Sequence, residues 1–320
     1  MKSGLNQLLI DKIKGLRPKS SGIMQEIMEL LSLPKDAVYR RMRGEVPFTL
    51  QEAALIAKCF SFSLDELIGV DLEKSRPLRI KLPDFLHPQE ADIYMTQDYI
   101  DFFSATGAYE SSEIGLVTNA LPQEIFSNYD LTTKLNIFRW QYYFNHERVV
   151  SFEELTMLDP TFDLFRAQYH AAKLFNKTIY LLDRRIFIRI VTEIEYFKHI
   201  RLISQESIKA LKEELHAIID YLDKLTLTGE FAETGHPVYL YVTDMEVPFG
   251  CAYFQGGDVE FAMIKTFILT SVTTHDKIIF QKVKDWVMAS MKTSTLISKA
   301  SAVVRTSIIE EQRRIINTLG

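Results

Sequence analysis

Nine residues between Lys35 and Arg43 hold Lys35, Arg40, Arg41 and Arg43 together with Asp36 and Tyr39, and Lys19 ends a second basic stretch in which Asp11 is the only acid. Guanidinium and ammonium groups at that density suit two tasks, paired donation to the acceptor edge of guanine and attraction to phosphate oxygens. Asp36 adds an acceptor that suits the amino group of cytosine. Nothing comparable points to catalysis. The sequence has no Gly-x-Gly-x-x-Gly, no phosphate-binding loop and no Gly-x-Ser-x-Gly. Its seven histidines fall at no metal-binding pair spacing, and two cysteines, Cys59 and Cys251, are too few for a disulfide framework or a Cys-rich zinc site. Glu193 and Glu195 stand two apart on a helix and do not face each other. Gly256-Gly257-Asp258 leads into a strand, so it reads as a hairpin turn. The expectation is a protein that is no enzyme and uses no metal or cofactor.

Short, sharply punctuated helices must position the basic cluster. Leu8, Leu9, Ile13 and Leu16 share one face of a first helix. Ser20 or Ser21 caps a second, with Ile23, Ile27, Leu30 and Leu31 as its apolar positions. Ser32-Leu33-Pro34 breaks the chain, Pro34 suits the first position of a third helix, and Gly44 ends that helix after Arg43. Thr49-Leu-Gln-Glu52 is a capping box that opens a fourth helix, whose inner face is Leu50, Ala53, Ala54, Ile56, Ala57 and Phe60. Ser63-Leu-Asp-Glu66 opens a short fifth helix that stops at Gly69. Five helices with a tight turn between the second and third describe a helix-turn-helix unit.

The segment from Ile27 to Glu45, followed by Leu50 to Gly69, resembles the lambda-repressor/Cro-like (XRE) helix-turn-helix family. Arg43-Gly44 at the close of the recognition helix and the Ser63-Leu-Asp-Glu-Leu67 tail carry the likeness, which covers roughly residues 5–70. The sequence departs from the family with Ser32 where glycine is usual in the turn, and with Arg41-Met42 where an apolar residue and Glu are common. The resemblance implies that the third helix lies in the major groove of double-stranded DNA with its amino-terminal residues at the base edges. Val38 and Met42 then face the second helix. Lys35, Asp36, Tyr39 and Arg40 project outward to read bases, while Arg41, Arg43 and Lys19 hold phosphates.

Beyond residue 72 the composition shifts. Residues 1–72 carry ten Lys or Arg against nine Asp or Glu, whereas the remainder carries 27 against 33. Three prolines between Pro77 and Pro88 mark residues 73–86 as a linker. Residues 87–320 read as a larger, mostly helical α+β domain for effector sensing and dimerisation. Helices are expected over 90–103, 131–146, 162–175, 186–203 and 205–225, the last with Ile208, Leu211, Leu215, Ile218, Ile219 and Leu222 at helical spacing. Strands are expected over 113–119, 238–243, 251–255 and 259–264, with the last three in a small antiparallel meander over 237–272, while 178–182 reads as a strand or a helix start. Residues 276–319 form the longest helical stretch, weakest at the Ser/Thr cluster 293–298. Two uses are open for its apolar stripe, a dimer surface or an internal core helix. Tyr239, Tyr241, Tyr253 and Phe261 suggest either an aromatic pocket or the packing of a sheet on helices.

Composition completes the expectation. Forty-seven per cent apolar and 25% charged residues describe a globular protein. The longest run free of Asp, Glu, Lys and Arg, residues 247–257, is too short for a membrane helix, and the amino terminus lacks a signal-peptide core. The fold is therefore mainly α with a minor β component: a five-helix helix-turn-helix domain over 1–72, then the α+β domain with its meander and long C-terminal helix. The function is that of a cytoplasmic, homodimeric, sequence-specific transcriptional regulator, with an unidentified small-molecule effector as a candidate partner. The alternative is a protein–protein interaction or adaptor module that uses the same fold without specific DNA binding.

Overall fold

The computed structural model describes residues 4–16, 21–60, 62, 64, 67, 79–81, 90–144, 150–156, 159–265 and 271–320. The chain divides into two units, Met1–Leu78 and Arg79–Gly320. In the first, α1 (Leu5–Leu16), α2 (Ser21–Leu31), α3 (Lys35–Met42) and α4 (Leu50–Cys59) enclose one core. Leu9, Ile10 and Ile13 of α1, Ile23 and Ile27 of α2, Val38 and Met42 of α3, and Ala53, Ile56 and Ala57 of α4 fill it. Leu50 and Ala54, expected on the inner face of α4, are exposed instead; the buried stripe is narrower than the apolar content of the helix. Pro34 occupies the cap position of α3 rather than its first helical position. Of the expected fifth helix only Leu64 and Leu67 are described, and Leu67 joins the core; the rest of that segment lies outside the described residues.

The second unit is built on an eight-stranded mixed sheet. In chain order its elements are β1 (Arg79–Lys81), α5 (Glu90–Gly107), β2 (Glu113–Thr118), α6 (Gln123–Phe126), α7 (Asp130–Phe144), α8 (Asp159–Ala172), β3 (Lys177–Asp183), α9 (Ile186–His199), α10 (Gln205–Thr228), β4 (Val238–Thr243), β5 (Cys251–Gly256), β6 (Val259–Lys265), β7 (Ser271–Thr274), α11 (Lys277–Met291), β8 (Thr295–Leu296) and α12 (Ala302–Asn317). The strand order is β1-β7-β6-β5-β2-β3-β4-β8. β2, β3 and β4 run parallel, with helical crossovers between them, and every other neighbouring pair is antiparallel.

This sheet is larger than the minor β component expected, and the meander is only its β5-β6-β7 part. β4 pairs with β3 and β8, not with β5. The reason is burial on both faces. Leu181 of β3 packs with Val117, Tyr253 and the α11 residues Phe280, Val283 and Val287, while Tyr180 and Leu182 face the helices α9, α10 and α12. Strands covered on both sides lose the alternation that marks a half-exposed strand, so the β3 run was ambiguous by pattern. Arg79–Lys81, inside the expected linker, pairs with Ser271–Thr273 at the sheet edge; residues 73–78 and 82–86 lie outside the described residues. At the other hairpin Gly257 takes a φ of +58° between β5 and β6, as the Gly-Gly-Asp turn requires.

α10 buries all six residues of its apolar stripe, with Ser204 capping its start and Gly229, at φ +67°, its end. The long C-terminal helix is two helices. Between them Thr295–Leu296 pair with β4, and the Ser298 hydroxyl accepts from the Leu240 amide at 2.8 Å. Much of the stripe is used within the unit, since Val283 and Val287 pack on the sheet while Ile308, Ile316 and Leu319 join the core formed with α9 and α10, but Trp286 and Val304 stay exposed. No helix among the described residues is long and apolar enough to cross a membrane.

Candidate nucleic-acid interface

Two matching turn structures present α3. At the end of α2 the Ser32 amide donates to Glu29 and the Leu33 amide to Met28, with Ser32 at φ +52°. At the end of α3 the Gly44 amide donates to Arg41 and the Glu45 amide to Arg40, with Gly44 at φ +77°. Both are Schellman motifs, in which a left-handed residue lets the chain turn back on the last helical turn. Glycine accepts that conformation freely, whereas serine holds it against its Cβ. The turn that sets the angle between α2 and α3 therefore carries strain at the position where the sequence departs from the usual glycine.

α3 is anchored by Val38 and Met42, its two buried residues. Lys35, Asp36, Tyr39, Arg40 and Arg43 line one shallow, solvent-open concavity on the opposite side. Lys35 extends over the Tyr39 ring, its ammonium 5.7 Å from the ring centre, a cation–π arrangement that keeps both side chains along the helix. Pro34 offers no side-chain acceptor to the first turn, and its carbonyl accepts from Ala37 and Val38. The structure thus brings five of the seven expected contact residues together. Lys19 lies outside the described residues.

Arg41, expected on phosphate, points elsewhere. Its guanidinium donates to both carboxylate oxygens of Glu52, at 2.9 and 3.0 Å, and to the Ala37 carbonyl, and both partners of the ion pair are only 15% exposed. Glu52 also closes the α4 capping box: it accepts from the Thr49 amide, and its own amide donates to the Thr49 hydroxyl. Burial alone would raise the Glu52 pKa, but the bonds from Arg41 and Thr49 outweigh it and hold the carboxyl below its ordinary value. Arg41 is therefore a strut between α3 and α4. Residue order could not show this, because the capping box explains Glu52 without a second partner eleven residues away.

Glu45 was also missed. Its carboxylate takes Arg43 in a two-pronged contact, 2.6 Å at Nε, and lies 3.6 Å from Arg40 Nε. The Arg43 bond holds the Glu45 pKa below its ordinary value. Both partners are about half exposed, so this pair is open to exchange with a phosphate. The adjacency Arg43-Gly44-Glu45 was the available signal, because a Schellman turn folds the residue after glycine back onto the last helical turn.

Residues 9–107 match the family model of the BetR domain, a helix-turn-helix-type DNA-binding domain of regulators. The match begins within α1, takes in α2 to α4 and ends at Gly107, the last residue of α5, so it covers less than a third of the chain. No curated protein and no solved structure matches. The match supports DNA as the partner of this segment and a role in transcription regulation.

Proposed function

We propose that the protein is a sequence-specific transcriptional regulator that lays α3 in the major groove in the lambda-repressor/Cro-like manner. Lys35, Asp36, Tyr39 and Arg40 read base edges, and Arg43, released from Glu45, holds the backbone. Residues 87–320 serve dimerisation and the sensing of a small-molecule effector, without catalysis. A homodimer places two copies of α3 on half-sites ~34 Å apart, one turn of duplex. The observation that carries this reading is the gathering of Lys35, Asp36, Tyr39, Arg40 and Arg43 on the exposed side of a helix whose other side is fixed by Val38 and Met42.

The test is selection of bound sequences from a random DNA pool, with the solution mass measured alongside. A pseudo-palindromic consensus and a dimer mass are expected, and Arg40→Ala costs ~1–3 kcal/mol at one base position and relaxes the preference there. No enriched sequence, or an Arg40→Ala variant with wild-type preference, overturns the reading. The alternative adaptor role draws on two exposed leucines of α4, Leu50 at 79% and Leu55 at 38%. It predicts weak DNA binding that salt hardly changes, because only phosphate contacts make affinity fall steeply with salt.

A further inference from the structure

The second unit contains a cavity of about 360 Å³ at the carboxyl ends of β2 and β3. That volume lies within the ~300–1,000 Å³ of small-molecule sites. In open sheets with parallel strands, ligands settle in the crevice beyond the carboxyl ends. Its walls come from the segment after β2, from α7, from the first turns of α9, from the loop before β5 and from the end of β6.

Three cations, Arg139, Arg189 and Lys265, line the cavity against one carboxylate, Glu193. Two of the three already have partners. Arg139 Nε lies 2.6 Å from Glu193, off the hydrogen-bonding direction, and its Nη1 donates to Asn136 at 3.0 Å. Arg189 is held by the buried carboxylate of Asp183 and by the Asn119 carbonyl, each at 2.9 Å. Lys265 is different: among the described residues its ammonium has neither a hydrogen bond nor an ion pair. Burial lowers its pKa, and the charge of Glu124 works against that shift. Lys265 is only partly buried, and the three lining cations outnumber the single lining carboxylate, so the wall carries a positive excess that suits an anion from outside. The rest of the lining, including Leu121, Leu135, Ile186, Ile190 and Phe249, is apolar.

We propose that this cavity binds a small organic anion, a carboxylate or phosphate ester with a short apolar body, whose charged head meets Lys265 and whose body lies on the leucine and isoleucine side chains. The proposal gives a chemistry to the effector role assigned to this unit and rests on that role only for the purpose of binding. Its test contains no DNA, so its failure and the failure of the DNA-binding reading are separate results. Calorimetric titration of the full chain with hexanoate, hexyl phosphate and hexanol is expected to show saturable binding of at least one of the two anions and markedly weaker binding of the alcohol. Lys265→Met and Lys265→Gln remove the charge. Each is expected to unfold cooperatively near the wild-type temperature, since a partly exposed charge without an ion pair adds little to stability, and to bind that anion about tenfold or more weakly. Absence of binding by both anions, hexanol as tight as the anions, or wild-type affinity in either folded Lys265 variant overturns the proposal.

Discussion

Replacing Glu45 with Gln perturbs the proposed DNA contact without touching the core. The Glu45 carboxylate lies 2.6 Å from Arg43 and 3.6 Å from Arg40, at about half exposure, and exposed pairs of this kind add little to stability. The fold is therefore expected to survive. Binding changes for two reasons. A phosphate seated on Arg43 comes within roughly 6 Å of Glu45, and like charges at that separation cost about threefold in affinity at the dielectric constant of water. At an effective constant of about 20 the same geometry costs about a hundredfold, so the solvent access of Glu45 places the expected gain toward the lower bound. In addition, Arg40 and Arg43 lose their shared competitor. Where Glu45 keeps Arg43 partly off phosphate in the wild type, its full engagement in the variant steepens the slope of log affinity against log salt by up to about 0.9. Fluorescence anisotropy of a labelled duplex, measured across a salt series with wild type, Glu45→Gln and the charge-preserving Glu45→Asp, reads both effects. Tighter binding and a steeper slope in Glu45→Gln alone are expected. If all three proteins share one affinity and one slope, Arg43 does not approach the backbone and the placement of α3 in the groove is refuted.

The two Schellman turns predict opposite signs. Gly44→Ala forces a Cβ onto φ +77° and is expected to cost ~1–2 kcal/mol, whereas Ser32→Gly relieves the same conflict at φ +52° and is expected to stabilise by some fraction of that; thermal unfolding with a local probe on α3 checks both, and equal signs would refute the account of the turns. Glu52 is held below its ordinary pKa of 4.5, so its contribution is present above that pH and is lost as pH falls through the folded value. Amide exchange of α3 and α4 is expected to accelerate below about pH 4.5 in wild type, and to be fast already at neutral pH in Glu52→Gln, which sacrifices ~1–3 kcal/mol. In the second unit a methyl group at Gly115 would overlap the ring of Tyr253, whose hydroxyl donates to Glu113 at 2.5 Å. Gly115→Ala is expected to cost ~1–3 kcal/mol through overpacking, and an unchanged unfolding temperature would show that the ring has room to move.

The helices of the first unit were legible because each is bounded by residues with one local meaning. Pro34 precedes α3, Gly44 follows it, and Thr49 with Glu52 opens α4. The larger unit yielded its helices more readily than its sheet. The stripe from Ile208 to Leu222 repeats at helical spacing, and all six residues are buried. Thr178 to Leu182 carries no alternation because β3 is covered on both faces. Three strands, β1, β7 and β8, have four residues or fewer, too short for any period to show, and their pairing depends on partners as distant as Arg79 and Thr273. The break between α11 and α12 has neither Gly nor Pro. It is fixed by Ser298 bonding to β4 and by Lys299 at φ +53°, both consequences of tertiary position. The aromatic pocket fails for a related reason. Tyr253 and Phe261 sit in separate cores, and Tyr239 is partly exposed, so shared residue type did not mean a shared cavity. Lys265, the residue that gives the observed cavity its character, looks in sequence like any lysine at a strand end.

Two carboxylates next to the basic helix do opposite work, and their burial decides which. Glu52, shielded from water, binds Arg41 closely enough to make it part of the frame between α3 and α4. Glu45, half exposed to solvent, offsets Arg43 and Arg40 in pairs that water and other anions can reach. On the exposed side of α3 and its turn this leaves Lys35, Arg40 and Arg43 against Asp36 and Glu45, a small positive excess on one face. The residues after 72 carry 33 acids against 27 bases, so the greater part of the chain repels a polyanion. A protein charged in this way gains little from lying on arbitrary DNA. Under the proposed reading it binds well only where base contacts from Lys35, Asp36, Tyr39 and Arg40 add to the phosphate term, and there the exchange of Glu45 for phosphate on Arg43 accompanies the fit. Screened arginines thus favour discrimination over raw affinity, and Glu45→Gln is expected to raise binding to random duplex by a larger factor than binding to the selected operator.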